Sequence, residues 1–312
     1  MISPTCPACG GAAFLPVSEA TFRGTYHLER CAGCGHVETR PSPDWHELAA
    51  LYGPDYYGPE HKRFRAPFET ATALVHRRRA RRIVRGRAPG VAIDVGCGRG
   101  LLLDELRRLG WKVIGTELSD EAAEYARDAL GIPVLIGEFH RLEIAPASVD
   151  VVVMWQTFEH MRDPNAVLAR VHEVLRPGGV VVVSVPNLES WQARFTGTRW
   201  HHLDVPRHLH HYGESALRRM LEHHGFRVGR AEHFNLEQNP FGWLQSLLNM
   251  WLRAPSDSLF RWLQNDRNGN GRRQVPLSSL GLLPVLAPVS LGLAAVESLA
   301  RRGGTIALWA MK

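Results

Sequence analysis

Cys6-Pro-Ala-Cys9-Gly and Cys31-Ala-Gly-Cys34-Gly are two thiol pairs of one spacing, each followed by glycine where a metal knuckle needs a tight turn. Four thiolates in that pattern make a closed tetrahedral site, and a structural zinc ion is the cofactor they suit. A segment this short buries little apolar surface, so the metal would supply most of its folding free energy. His36, just beyond, reads as a bystander.

A second constellation is Val91-Ala-Ile-Asp-Val-Gly-Cys-Gly-Arg-Gly100. Asp94 ends an apolar run; Gly96, Gly98 and Gly100 let backbone approach a ligand closely, and the helix that follows points its amides at it. Dinucleotide loops are usually spaced G-x-G-x-x-G and lack an acid at the strand end, whereas the spacing here is G-x-G-x-G. Asp94 would repel a pyrophosphate and suits an ammonium or sulfonium group. Glu117, closing the next apolar run, can accept both hydroxyl protons of a ribose, with Leu118 beside it. Cys97 reads as a small buried residue of the loop and not as a nucleophile.

A third group is rich in titratable side chains. Trp155, Gln156, Glu159 and His160 follow an apolar run, and the segment from Trp200 to Tyr212 gathers five histidines with Asp204 and Arg207. An imidazole with its ordinary pKa near ~6.5 can take a proton at neutral pH, which makes His160 a candidate base. Arg207 could grip a carboxylate or phosphate by paired hydrogen bonds. Glu159, His160 and His208 also form a mixed carboxylate and imidazole set able to take a divalent metal.

These residues need a frame to position them. From Val91 onward, short apolar runs alternate with amphipathic stretches of helical length, the pattern of a parallel sheet flanked by helices. Strands are expected at Val91–Val95, Lys112–Thr116, Val134–Ile136, Val149–Met154, Val180–Val185, Phe226–Ala231 and Thr305–Met311. Arg176-Pro-Gly-Gly179 is expected to end the helix before the fifth of these. The domain reading is a zinc ribbon at 1–40 and a linker with a helical lid at 41–90, where Tyr52, Tyr56 and Tyr57 line an entry segment. A catalytic core at 91–237, a hydrophobic helical insertion at 238–303 and a last core strand at 304–312 complete it.

The insertion is long for a loop and needs a purpose. No charged residue lies between Gln274 and Val296, yet Pro276, Pro284 and Pro288 interrupt that run. It admits a buried helical pair, a membrane-surface contact flanked by Arg272, Arg273, Arg301 and Arg302, or, least well, a spanning helix.

Of the 312 residues, 45% are hydrophobic and 22% charged, which excludes disorder as the main state. The formal charge of +6 is partly the run Arg77-Arg78-Arg79-Ala80-Arg81-Arg82, read here as a solvated helix face. The opening residues show no basic stretch followed by an apolar core, so the expected location is the cytoplasm, peripheral to the inner membrane face if the insertion meets lipid.

Together, Asp94-Val-Gly-Cys-Gly-Arg-Gly100, Glu117, Gly137-Glu138-Phe139, Asp150–His160 and Leu175-Arg-Pro-Gly-Gly179 resemble the class I S-adenosylmethionine-dependent methyltransferases. The resemblance runs from about Val91 to Tyr212 and returns at the last strand. It implies an α/β fold with a Rossmann-like, seven-stranded, mostly parallel sheet, here with a small zinc ribbon and a helical insertion. S-adenosylmethionine would contact Asp94, Gly96, Cys97, Gly98, Gly100, Glu117, Leu118, Glu138, Phe139, Trp155 and Gln156. Many relatives carry Asp where Glu138 stands, a departure at the adenine contact. Glu159–Pro164 and Pro206–Tyr212 resemble a bacterial branch acting on small molecules, sugars and lipid-linked intermediates, and on that resemblance His208 ranks above His210 and His211 as base or orienter.

The reaction expected is methyl transfer to a small-molecule or lipid-linked acceptor, on oxygen, with His160, His208, Glu159 and Arg207 as the catalytic group. Two rivals stand beside it. One is an RNA methyltransferase gripping its substrate with the ribbon, although Met154-Trp-Gln-Thr157 lacks the Asn/Asp-Pro-Pro-Tyr motif of amino-methylating base enzymes. The other is a non-catalytic scaffold that binds a partner, which the intact loop acids oppose.

Overall fold

The computed structural model describes residues 5–18, 21–43, 47–48, 68–251, 257–263 and 277–312. The entry segment with Tyr52, Tyr56 and Tyr57, and also Arg272, Arg273 and Pro276, lie outside them. The chain divides into two compact units: residues 1–66, 186–217 and 232–306 form one, and residues 67–185, 218–231 and 307–312 the other.

In the first unit, β1 (Phe14–Pro16), β2 (His27–Cys31) and β3 (Val37–Arg40) form an antiparallel ribbon. The second unit begins with α1 (Phe68–Ile83). It continues through β4 (Val91–Val95), α2 (Leu101–Arg108), β5 (Lys112–Glu117), α3 (Asp120–Glu124), β6 (Val134–Ile136), β7 (Val149–Trp155), α4 (Pro164–Val174) and β8 (Leu175–Pro186). Then come α5 (Trp191–Thr196), β9 (His210–His211), α6 (Glu214–His223), β10 (Arg227–Glu232), α7 (Asn239–Trp251), α8 (Ser258–Leu263), α9 (Leu277–Leu299) and β11 (Thr305–Met311).

The seven-stranded sheet has the order β10-β11-β8-β7-β4-β5-β6, and β4 pairs in parallel with both β5 and β7. The chain builds outward from β4 through β5 to β6, then returns to lay β7 on the other side of β4. At such a reversal the two crossovers diverge, leaving a crevice at the carboxyl end of the strand, where ligands bind in open α/β sheets. The strands that flank it are near-continuous valine runs, Val151–Val153 and Val180–Val183, because a parallel sheet is covered on both faces. Ala80, Ile83, Leu102, Leu103, Leu106 and Trp111 cover one of those faces in a shared buried cluster with Val151, Val153 and Val182.

Local chemistry sets the element ends. Asp163 caps α4 by accepting from the Ala166 N–H at 2.9 Å, with Pro164 at the first turn, where its missing N–H costs nothing. The helix stops at Val174, just before Arg176–Gly179 as expected, and β8 already begins at Leu175. Val149 pairs with Leu175 and Val151 with Val180, so Arg176–Gly179 are looped out of the ladder as an irregularity in the strand.

The insertion also differs from the expectation of a helical pair. Residues 277–299 form one helix that runs through Pro284 and Pro288. Both prolines lie on its exposed side, where carbonyls left without an amide partner can turn to water. The other side packs Leu286 and Ala294 against Trp243, Leu247 and Leu248 of α7 and Leu259 of α8. Leu280–Leu299 is long and apolar enough to cross a membrane by length and composition, and 22% of it is buried.

Candidate active site

Asp94 stands at the end of β4, 5% exposed, at the mouth of the crevice. Burial raises its pKa to about 7; the positive charge of Arg79 works against that rise and the negative charge of Glu117 adds to it. Arg79 is a site residue the sequence reading missed. Arg77, Arg78, Arg81 and Arg82 are exposed as expected of a solvated face, but Arg79 is buried with its guanidinium 4.3 Å from the centre of the Trp155 ring. The available signal was helical spacing, since Arg79 shares a face with Ile83 four residues on.

The loop after Asp94 is built from backbone. Gly96 and Cys97 donate to the Thr116 carbonyl at 2.8 and 3.0 Å, which ties the loop to the end of β5. Gly96 takes φ +72°, and a Cβ there would lie 2.3 Å from the Thr157 methyl group, so no other residue fits. At Gly98, φ +48°, a Cβ would meet nothing within 4 Å among the described residues. Glu117 accepts from the Gly98 N–H at 3.0 Å through Oε2 and from the Leu118 N–H at 2.8 Å through Oε1. Its carboxylate keeps further lone pairs for hydroxyl donors. Burial raises its pKa, and the Leu118 and Gly98 amides hold that rise back. Cys97 is packed under the loop, its thiol pushed up by burial and then by Asp94 and Glu117.

The remaining candidates in this unit line the ends of β6 and β7. Glu138 pairs with Arg141 at 2.9 Å, and Phe139 is buried. Leu118 is half exposed. Trp155 closes β7 with a buried indole N–H that has no partner among the described residues, a donor available to a bound group. Gln156 adopts φ +55°, anchored by its N–H on the Ser184 carbonyl at 2.8 Å. This strained residue turns the chain into the short helical turn that carries Glu159, which is buried, and His160, which is half-buried.

Arg207 and His208 belong to the other unit. Arg207 holds Asp204 Oδ1 through Nε and a terminal nitrogen at 3.0 and 2.7 Å, so its guanidinium already grips a carboxylate of its own segment. His208 Nδ1 lies 2.9 Å from the His202 carbonyl, which can only accept; Nδ1 therefore carries the proton and Nε2 the lone pair. Of the other histidines of this segment, His202, His210 and His211 are interior residues and His201 is half-buried. Burial holds His202 and His211 down to about 3, helped by His201 and His210 respectively.

The four thiols of the ribbon come together. Cys6 and Cys34 Sγ lie 3.5 Å apart, as do Cys9 and Cys31, and all four fall within 4.8 Å of one another. Tetrahedral coordination at ~2.3 Å per Zn–S bond needs sulfur separations of ~3.8 Å, so the donor set fits with small movements. Burial pushes the Cys6 and Cys34 thiols up, with the amides of Ala8 and His36 working against that rise, while at Cys31 burial is outweighed by the amides of Cys34 and Gly33, which bring the thiol down.

A family model described as a methyltransferase domain matches residues 60–230, more than half of the chain. The chain belongs to that family. It is an S-adenosylmethionine-dependent methyltransferase of the class I type, with the seven-stranded sheet that type requires. It is 30% identical over 176 residues to a ubiquinone biosynthesis O-methyltransferase of Cupriavidus pinatubonensis, covering 53% of this chain and 70% of that one. A protein of the same name from Methylococcus capsulatus is 31% identical over 39% of this chain and 54% of its own length. Among solved structures, the [4+2]-cyclase SpnF superposes with a TM-score of 0.56 over 87% of this methyltransferase and 97% of that chain, at 17% identity. A complex between the Haloferax volcanii Trm112 methyltransferase activator and a methyltransferase gives 0.51 at 16% identity, over 85% of this chain and 97% of the other. These two likenesses speak to the fold.

Proposed function

We propose that this methyltransferase transfers a methyl group to an oxygen of a small-molecule or lipid-linked acceptor, with a histidine as general base. The observation that carries the reading is the cradle at the end of β4: a buried acid, three left-handed glycines and Glu117 held by the loop amides, in the sheet of a family whose named relatives methylate oxygen. S-adenosylmethionine, when bound, supplies a methyl group on a positively charged sulfur. Asp94 then offers negative charge to the cationic end of the ligand, Glu117 receives its ribose hydroxyls, and Gly98 leaves room for it. Transfer is an in-line displacement, so the protein's share is alignment and removal of the acceptor proton. His160 follows β7 directly, and His208 presents Nε2 as its basic nitrogen. Arg207, locked to Asp204, acts by holding that segment in shape.

The ribbon takes one structural zinc ion through Cys6, Cys9, Cys31 and Cys34. The protein works in the cytoplasm, with the exposed apolar side of α9 resting on the inner membrane surface. Val285, Val289, Leu291, Val296 and Leu299 are exposed along that helix, and Arg301 and Arg302 follow at its end, suited to anionic headgroups. The test is incubation with methyl-labelled S-adenosylmethionine, a lipid-soluble metabolite extract and total RNA from a bacterium. Label in an ether of the organic phase is the expected result; label only in RNA would replace the reading.

A further inference from the structure

The ribbon holds a second set of metal-binding side chains. His36 and Glu38 sit two residues apart on the chain and so face the same side, and His210 is directly opposite Glu38 in the β3–β9 ladder. All three are buried: His36 and His210 are 1% exposed and Glu38 is 0% exposed. His36, read from the sequence as a bystander of the tetrathiolate set, is not a member of that group of thiols but lies in this one.

The distances decide what the cluster is for. His36 Nε2 lies 3.2 Å from His210 Nδ1, and Glu38 Oε1 lies 3.9 Å from the first and 4.0 Å from the second. Among the described residues, Glu38 Oε1 is a buried carboxylate oxygen with no hydrogen-bond partner, a costly state. Its other oxygen is held by Arg40 at 2.8 Å, which aims Oε1 at the two imidazoles. A triangle with these sides has a point about 2.2 Å from all three corners, close to the ~2.0–2.2 Å of Zn–N and Zn–O bonds.

We propose that His36 Nε2, Glu38 Oε1 and His210 Nδ1 bind a second divalent cation of the zinc class, separate from the tetrathiolate ion. Two imidazoles and one carboxylate make an N,N,O set of intermediate hardness, suited to zinc or cobalt and poorly suited to calcium or magnesium. Complete burial marks the site as structural: the ion would staple β3 of the ribbon to β9, the strand that ends the histidine-rich segment. This inference does not depend on the methyl-transfer reading.

The full chain, stripped by chelator and titrated with Co2+, tests it. Thiolate coordination produces intense sulfur-to-cobalt absorption in the near ultraviolet, whereas a nitrogen and oxygen site gives only weak visible bands. Two equivalents are expected, one without sulfur absorption, and mass-spectrometric metal analysis of the zinc-loaded protein should likewise find two. Glu38→Gln keeps shape and removes the charge; it should lose the weak-band equivalent while the sulfur bands, which report that the ribbon is folded, remain. Saturation of the wild-type chain at one equivalent with sulfur absorption would overturn the proposal. So would retention of both equivalents by Glu38→Gln and by His210→Ala.

Discussion

At Asp94, burial and function pull in opposite directions. Burial in the cradle favours the protonated acid up to about pH 7, while a cationic ligand needs the carboxylate. S-adenosylmethionine affinity should therefore be flat above pH 7 and fall as pH drops through it, approaching tenfold per unit; calorimetry between pH 5.5 and 8.5 reads this directly. The stability effect has the opposite sign. The unfolded chain ionises Asp94 near 3.8 and the folded chain near 7, so the ligand-free protein loses stability as pH rises between those values. Asp94→Asn should raise the melting temperature at pH 8 and weaken cofactor binding at the same pH, and a variant that binds normally would show the loop is misassigned. His160→Ala and His208→Ala should leave cofactor affinity intact and lower kcat, by roughly 10²–10⁴-fold for the one that serves as base; unchanged kcat in both removes histidine from the chemistry. Asp94 and Glu117 were legible in the sequence because a strand end and its loop are local. Arg79 was less so, because its spacing from Ile83 marks an inward face of the helix but not the Trp155 ring and the carboxylates it meets there.

Among the elements, α9 carries the most conflicting demands. Its exposed side is apolar, yet at its end Glu297 is buried, with Oε1 accepting from Gln192 Nε2 at 2.8 Å and from the Gly304 N–H at 2.9 Å. Burial raises the Glu297 pKa to about 7 against those bonds. Because the unfolded chain ionises this group near 4.5, stability should decline from there to about pH 7 and then level. Glu297→Gln should remove that portion of the slope, on the order of 2–3 kcal/mol, in urea titrations at pH 5 and pH 8; identical slopes would mean the carboxylate is not buried in solution. The helical nature of the insertion followed from its composition. That one helix would pass through two prolines did not, because the rule against internal proline assumes the freed carbonyl is buried, and at Pro284 and Pro288 it faces outward. Arg176–Gly179 ends the helix as expected, and its looping out of β8 was the part not legible, because proline and glycine mark a break without saying whether the strand begins before or after it.

Across the whole molecule, the seven-strand sheet was readable because each strand and its crossover helix are neighbours in sequence. The composition of the other unit was not, since its pieces come from residues 1–66, 186–217 and 232–306. Membrane contact belongs to this scale. Vesicles containing anionic lipid should retain the protein in flotation, and Val289→Glu with Val296→Glu should release it without altering metal content; equal recovery on neutral and anionic vesicles by wild type and variant would remove the lipid reading. The pairing of β3 with β9 has a consequence during synthesis. His36 and His210 are 174 positions apart, so at ~5–20 residues per second the nascent ribbon waits roughly 10–35 s for the strand that covers its edge. An uncovered edge strand invites pairing with other chains. With the four thiols holding zinc as proposed, that ion would be the ribbon's main source of order for the interval, and chains translated under zinc starvation should aggregate more than zinc-replete ones.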